Sequence, residues 1–252
     1  MNLRRNLKVM HKQIISIFAL FLVTSCSSTS DILQTASDLL SGNSGKPTQS
    51  EVSGGLKQAL QIGIDHGADQ VSRPDGFFKN LAIKILFPPE AKKVETALRN
   101  IGLGSICDNV IKSFNRAAEK AAKEAKPIFV NAIKQLTFKD VMDILFGADN
   151  AATQYLKRTT SPQLKLKFKP VISNSMDKVN ATKYWGEVTS RYNNIPFVQP
   201  VETDISAYVT DKALDGLFHV IEKEEKKIRK DPLQRTTALL KKVFGYADKN
   251  DN

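Results

Sequence analysis

The chain has 252 residues, with 37 Lys and Arg, 26 Asp and Glu, and two cysteines. This length suits one large domain or two small ones, and two cysteines exclude a fold that depends on a framework of several disulfides. The net charge of +11 favours an anionic partner such as nucleic acid or anionic lipid.

The N-terminus has the three parts of a bacterial export signal. Basic residues without an acidic one precede an apolar stretch, 14–23, which is shorter than the roughly 20 residues that span a membrane. The following Val23, Thr24, Ser25 and Cys26 resemble the lipobox of bacterial lipoproteins. The resemblance implies that residues 1–25 are a cleaved signal peptide and that Cys26 is acylated. The alternative is a buried N-terminal helix with an incidental cysteine.

Export determines the expected location and partners. Ser27 stands where aspartate often signals retention in the inner membrane, so we expect the periplasmic face of the outer membrane. Cleavage removes four basic residues and no acidic one, which lowers the net charge to +7. Because export separates the chain from nucleic acid, the expected partners are the membrane, through the N-terminal lipid, and an envelope protein or an anionic phospholipid.

The mature chain is predicted to consist of a tether and one domain. Residues 26–50 are rich in Ser, Gly and Pro and indicate a tether and linker, 51–247 a helical domain, and 248–252 a disordered tail. With Cys26 acylated, Cys107 is the remaining thiol, so no internal disulfide is expected. The apolar, helical surroundings of Cys107 favour a small core residue over a reactive thiol.

The first half of the domain has mostly helical periodicity. It predicts helices from 51 to about 72, over 90–101 and over 105–126, the last with Ile106, Val110 and Phe114 on its apolar face. Residues 81–87 alternate between apolar and other positions and predict a strand, for which 198–201 is a candidate partner.

The second half is also predicted to be helical. Ser161 and Pro162 suit the cap and first residue of a new helix. Residues 164–169 alternate strictly, but Leu164 and Phe168 continue at helical spacing, so we expect a helix with a kink or break at Pro170. Further helices are predicted over 181–193, over 211–230 and after Pro232. The fold class is therefore all-α, a multi-helix, bundle-like domain with at most one short two-stranded β element.

Several segments resemble one bacterial family, domain-of-unknown-function family 4197. They are residues 115–122 (NRAAEKAA), 151–156 (AATQYL), 192–198 (YNNIPFV), 208–218 (YVTDKALDGLF), 235–237 (RTT) and 242–245 (KVFG). The resemblance covers roughly residues 53–245 and implies an exported, largely helical envelope protein. It implies no activity, ligand or catalytic residue.

Motifs of catalysis are incomplete in this sequence. Residues 44–48 lack the glycine and the hydroxyl residue that a phosphate-binding loop requires, and residues 102–107 lack the third glycine of a dinucleotide fingerprint. His66 and His219 stand outside recognisable catalytic or metal-binding patterns. We therefore expect no enzyme activity, no metal site and no cofactor.

One carboxylate falls on an apolar helical stripe. Glu225 lies between Ile221 and Ile228, where an unpaired charge would be costly to bury. Arg229 is placed at i+4 for an ion pair, and Arg235 and Arg116 are more distant candidate partners. The sequence predicts a structural charge lock between helices, with a ligand site as the alternative.

Lys165, Lys167 and Lys169 form a second candidate site. Such lysines suit contact with an anionic lipid surface, although a solvated helix face is the commoner role. Taken together, the sequence predicts a non-enzymatic envelope lipoprotein that binds or organises another envelope component. A carrier of lipid or another apolar ligand is the alternative, and an envelope hydrolase comes third.

Overall fold

The computed structural model describes residues 46–194, 200 and 204–250, apart from the side chains at 97, 184, 187, 188, 191 and 192. The helices are α1 (Gln49–Ser72), α2 (Lys92–Asn100), α3 (Gly104–Ala122), α4 (Ala125–Lys134), α5 (Phe138–Leu145), α6 (Ala151–Asp177), α7 (Ala181–Asn193), α8 (Ile205–Lys230) and α9 (Ala238–Asn250). Single turns of 3-10 helix lie at Pro89–Ala91 and Pro232–Gln234. The described residues contain no strand, so the predicted all-α class is confirmed.

Helix α1 begins with a reciprocal pair of hydrogen bonds. Thr48 Oγ1 accepts from the Glu51 amide at 3.2 Å, and Glu51 Oε2 accepts from the Thr48 amide at 2.8 Å. The Glu51 carboxylate also binds Lys242 Nζ of α9 at 2.7 Å. This ion pair, together with the Thr48 amide, lowers the pKa of Glu51. The first and last helices are thus joined by one carboxylate.

Both predicted ends of the domain need correction. Helix α1 begins at Gln49 because its N-cap residue, Thr48, lies before the expected start at 51. Helix α9 continues to Asn250, so the predicted disordered tail is wrong for residues 248–250. Residues 251 and 252 lie outside the described part of the chain.

Helix α6 packs against α3, α4, α5, α7 and α8. Buried residues recur every four positions along it: Ala152, Leu156, Thr160, Leu164, Phe168, Ile172 and Met176. Four residues turn a helix by roughly 400°, so each buried position lies about 40° further round than the one before. The buried stripe therefore winds around α6, which allows one helix to contact several neighbours.

Helix α6 passes through Pro162 and Pro170, so the helix start predicted at Ser161 is wrong. At Pro170 the helix does not break, which leaves the kink as the alternative of that prediction. Each internal proline costs about 3 kcal/mol because it removes a hydrogen bond and crowds the preceding turn. Both prolines are exposed. Burial of the large apolar side chains contributes about 1.5–3 kcal/mol each, which exceeds the cost of the prolines; they are Leu156, Leu164, Phe168, Ile172 and Met176.

The segment predicted as a strand, 81–87, is a turn followed by backbone without regular secondary structure. Leu81 is 89% exposed, whereas Ile83 and Ile85 are buried. The amide of Asn115 on α3 replaces a partner strand: its Oδ1 accepts from the Ile85 N–H at 2.9 Å and its Nδ2 donates to the Ile85 carbonyl at 2.8 Å. The candidate partner residues Val198 and Val201 lie outside the described residues.

Helix α3 faces the core with a stripe of small side chains, which are Ala117, Ala118, Ala121 and Ala122. Cys107 is 1% exposed, and burial raises the pKa of its thiol, in keeping with a core residue. Ile106 is exposed, contrary to the predicted face, because Cys107 and Ile111 occupy the core positions one residue later.

Replacement of Asn115 tests whether its side-chain amide stabilises the backbone of Ile85 in the way that a partner strand would. Asn115→Ala should lower the free energy of unfolding by about 2–4 kcal/mol, because it leaves the buried N–H and carbonyl of Ile85 without partners. Urea unfolding measures the loss. Asn109→Ala, at an exposed position of the same helix, should change stability by less than about 0.5 kcal/mol. Equal losses of stability in the two variants would contradict the structural role assigned to Asn115.

A pH series tests the contact between α1 and α9. Because the pKa of Glu51 is lower in the folded chain than its ordinary value of 4.5, its contribution to stability is complete above that value. The contribution disappears as the pH falls through the lowered pKa. The difference in free energy of unfolding between wild type and Glu51→Gln should therefore shrink in acid. A difference independent of pH would show that Glu51 acts through packing alone.

Candidate functional site

Glu225 of α8 binds the first turn of α6. Its Oε1 accepts from the Ala152 amide at 3.0 Å, and its Oε2 accepts from the Thr153 amide at 2.8 Å and from Thr153 Oγ1 at 2.7 Å. Asn150, the residue that precedes α6, makes no side-chain cap. A carboxylate from a different helix therefore caps α6, where the positive end of the helix dipole also favours it.

Arg229 completes the junction. Its Nε donates to Glu225 Oε1 at 3.0 Å, and its Nη1 and Nη2 donate to the carbonyls of Leu145 at 3.2 Å and Ile144 at 2.7 Å. These carbonyls end α5, where a cation is favoured. We call the group of Glu225, Arg229 and Thr153 the α5–α6 junction. It joins the end of one helix to the start of the next through a pair carried by α8.

The chemistry open to Glu225 is limited by these contacts. A carboxylate has about four acceptor positions, and four donors occupy them here. Glu225 is 8% exposed. A small cavity of about 20 Å³ beside it, lined also by Leu56 and Ile64, has room for one water. The geometry therefore supports the structural charge lock over the ligand site.

Arg235 is buried, but it does not bind Glu225 as the sequence suggested. It donates to the carbonyls of Ile228 at 3.1 Å and Arg229 at 2.6 Å, near the end of α8. Its Nη1 binds Asp248 of α9 at 2.6 Å. Arg235 lies beyond the end of α8, so its nearest free acceptors are the last carbonyls of that helix. It holds the turn between α8 and α9.

Arg116 is likewise remote from Glu225, because α3 directs it towards the loop after α1. It binds Asp75 of that loop and Glu119 Oε2, the latter at 2.7 Å. Glu119, which the sequence analysis did not single out, is buried and accepts from the amides of Phe77 at 3.1 Å and Phe78 at 3.2 Å. The signal for it was weak, since an acidic residue in a helix rich in Ala and Lys resembles a surface residue.

The three lysines of the predicted anionic-surface patch differ in their surroundings. Lys165 pairs with Asp211 at 2.7 Å, and Lys169 pairs with Asp204 at 2.7 Å. Lys167 is exposed. Acidic residues of α8 and its cap thus offset two of the three charges, which favours a role of these lysines in attaching α6 to α8.

The two histidines in the described part of the chain lie on α1 and α8. His66 is exposed, and its Nδ1 lies 3.8 Å from Glu224 Oε2. His219 lines an open groove with Tyr208 and Asp215. Among the described residues no three His, Cys, Asp or Glu side chains are arranged to hold a metal ion. Within 46–250, where described, no helix is both long and apolar enough to cross a membrane. Cys26, the predicted lipidation site, lies outside the described residues.

Comparison with protein families gives a match that covers most of the chain. A family described as "Protein of unknown function (DUF4197)" matches residues 46–245, the range that contains the junction, Arg235 and Glu119. The comparisons with curated proteins and with solved structures gave no match to the chain.

Removal of the Glu225 charge from the α5–α6 junction should lower the stability of the fold. Glu225→Gln should lower the free energy of unfolding by about 3–5 kcal/mol, because the amide nitrogen cannot accept the bonds of α6 and Arg229 loses its counter-charge. Thermal and urea unfolding measure this loss. Glu222→Gln, which removes the exposed ion pair with Lys226 on the same helix, should cost less than about 1 kcal/mol. A Glu225→Gln chain as stable as wild type would contradict the role assigned to the junction.

Proposed function

This chain belongs to the DUF4197 family, and from that premise, which carries no assigned activity, we propose that it is a non-enzymatic envelope lipoprotein. In this proposal residues 1–25 export the chain, Cys26 carries the lipid, and the chain resides at the periplasmic face of the outer membrane. The helical domain then binds or organises another component of the envelope.

The contacts of four charged side chains that are buried or part-buried support the non-enzymatic part of the proposal. Glu225, Arg229, Arg235 and Glu119 each bind backbone groups at the ends of helices or in a loop. An acid–base catalyst needs an acceptor or donor left free for substrate. Because these side chains are occupied by the fold, the groups left for recognition lie on the surface, which supports binding.

The size of the core cavity bears on the alternative of a lipid carrier. Pockets that enclose small molecules have roughly 300 Å³ or more. The cavity beside Glu225 has about 20 Å³, too little for an acyl chain. A binding role through the surface therefore has more support than transport within the core.

Labelling at the two cysteines tests the proposed anchor. Cells that express the chain are fed an alkyne analogue of palmitate, and membrane fractions are separated by density. Wild type and Cys107→Ala should carry the label and sediment with the outer membrane, whereas Cys26→Ala should carry no label. Cys107 is the matched control because it is a buried core residue. An unlabelled cytosolic chain that retains Met1 would refute the proposal.

Chemical cross-linking in the same intact cells tests the binding role. A specific envelope component should be attached to wild type and be depleted from Cys26→Ala, which lacks the anchor. The absence of any adduct above that of an unrelated lipoprotein would contradict binding or organisation.

A further inference from the structure

A basic groove lies between α3 and the C-terminal end of α6. Its volume is about 680 Å³, and its lining includes Lys112, Arg116 and Lys120 from α3 and Lys178 from the end of α6. The three α3 residues are spaced four apart, so they share one face over roughly 12 Å of helix. We call this feature the α3–α6 groove.

Three of the four cations in the groove are available to a ligand. Lys112, Lys120 and Lys178 are exposed, and none forms an ion pair within the described part of the chain. Arg116 differs because Asp75 and Glu119 hold it. No described Asp or Glu lines the groove. The situation is opposite to that of Lys165 and Lys169, whose charges are offset by acidic partners.

Capping of helix ends does not explain this set of lysines. Lys120 and Lys178 stand near the ends of α3 and α6, where a cation stabilises the final carbonyls. Lys112 lies more than two turns before the end of α3, yet it faces the same groove. A shared anionic ligand accounts for all three positions.

The remaining lining limits the chemistry of that ligand. Ser113 and Ser175 already donate to carbonyls of their own helices at 2.7 Å, so they supply no free donor. The ammonium groups and the side-chain amide of Asn109 remain as donors. They suit the several oxygens of a phosphate group better than a single carbonyl. The exposed Val179 provides an apolar surface beside them.

We propose that the α3–α6 groove binds a phosphate ester, held by Lys112, Lys120 and Lys178 with the apolar surface beneath. The inference deepens the proposed binding role by naming its ligand chemistry. The ester belongs either to a phospholipid headgroup, whose glycerol and first methylene groups contact Val179, or to a free phosphorylated molecule. Phosphate recognition is common to both sources.

Calorimetric titration of the full chain in a non-ionic detergent tests this proposal. The probes are inorganic phosphate, glycerol 3-phosphate and dihexanoyl phosphatidylglycerol, with hexaglutamate as a carboxylate probe. The groove variant is Lys112→Gln/Lys120→Gln/Lys178→Gln. The matched control is Lys134→Gln/Lys157→Gln/Lys223→Gln, which removes the same charge from exposed lysines outside the groove. Unfolding curves establish that both variants are folded.

The expected result is that wild type and the control bind a phosphate probe with similar affinity and that the groove variant binds it at least about tenfold more weakly. Affinity should fall as ionic strength rises. Phosphatidylglycerol bound more tightly than glycerol 3-phosphate identifies a headgroup as the source, and equal affinities identify a free phosphate ester.

Three outcomes would overturn the proposal: no binding of any phosphate probe, equal weakening in both variants, or tighter binding of hexaglutamate than of every phosphate probe. The last would indicate an acidic protein surface as the partner. The purified chain reports phosphate binding whether or not Cys26 is acylated. Failure here is therefore distinguishable from failure of the proposed anchor.

Discussion

The contact of Glu225 with the first turn of α6 is the interaction on which the arrangement of the helices depends. Helix α6 packs against α3 and α8, and its first turn lacks a side-chain cap of its own. The carboxylate of α8 supplies that cap, and Arg229 binds the last carbonyls of α5 in the same place. The junction thus fixes where α5 ends, where α6 starts and how both meet α8.

Buried charged side chains also bind backbone groups at other connections between helices. Arg235 binds the final carbonyls of α8, and Glu119 binds the amides of the loop that follows α1. Each places a buried charge against backbone groups that helices and loops leave without partners. These interior charges therefore stabilise helix ends and turns, and the proposed recognition falls to surface features such as the α3–α6 groove. The proposed binding role rests on this difference between interior and surface charges.

Much of the fold was predictable from the sequence, because helical periodicity is local. The all-α class, the helical state of 164–169 and the core position of Cys107 could be inferred in this way, and so could the proximity of Glu225 and Arg229. What local patterns missed depends on residues far apart in the chain. Asn115 forms hydrogen bonds with the backbone of Ile85, 30 residues away, and Glu225 caps a helix more than 70 residues away. Burial of the winding apolar stripe also carries α6 through two prolines at which local patterns predict a helix start and a kink or break.

Native-state hydrogen exchange at the amides of Ala152 and Thr153 tests the central role of the junction most directly. The first amides of a helix normally exchange quickly, because they have no partner within the helix and the end frays. If Glu225 holds them, both should exchange in wild type nearly as slowly as the core of α6, with a large loss of protection in Glu225→Gln. Rapid exchange of these two amides in wild type, at the rate of an ordinary frayed end, would contradict the account.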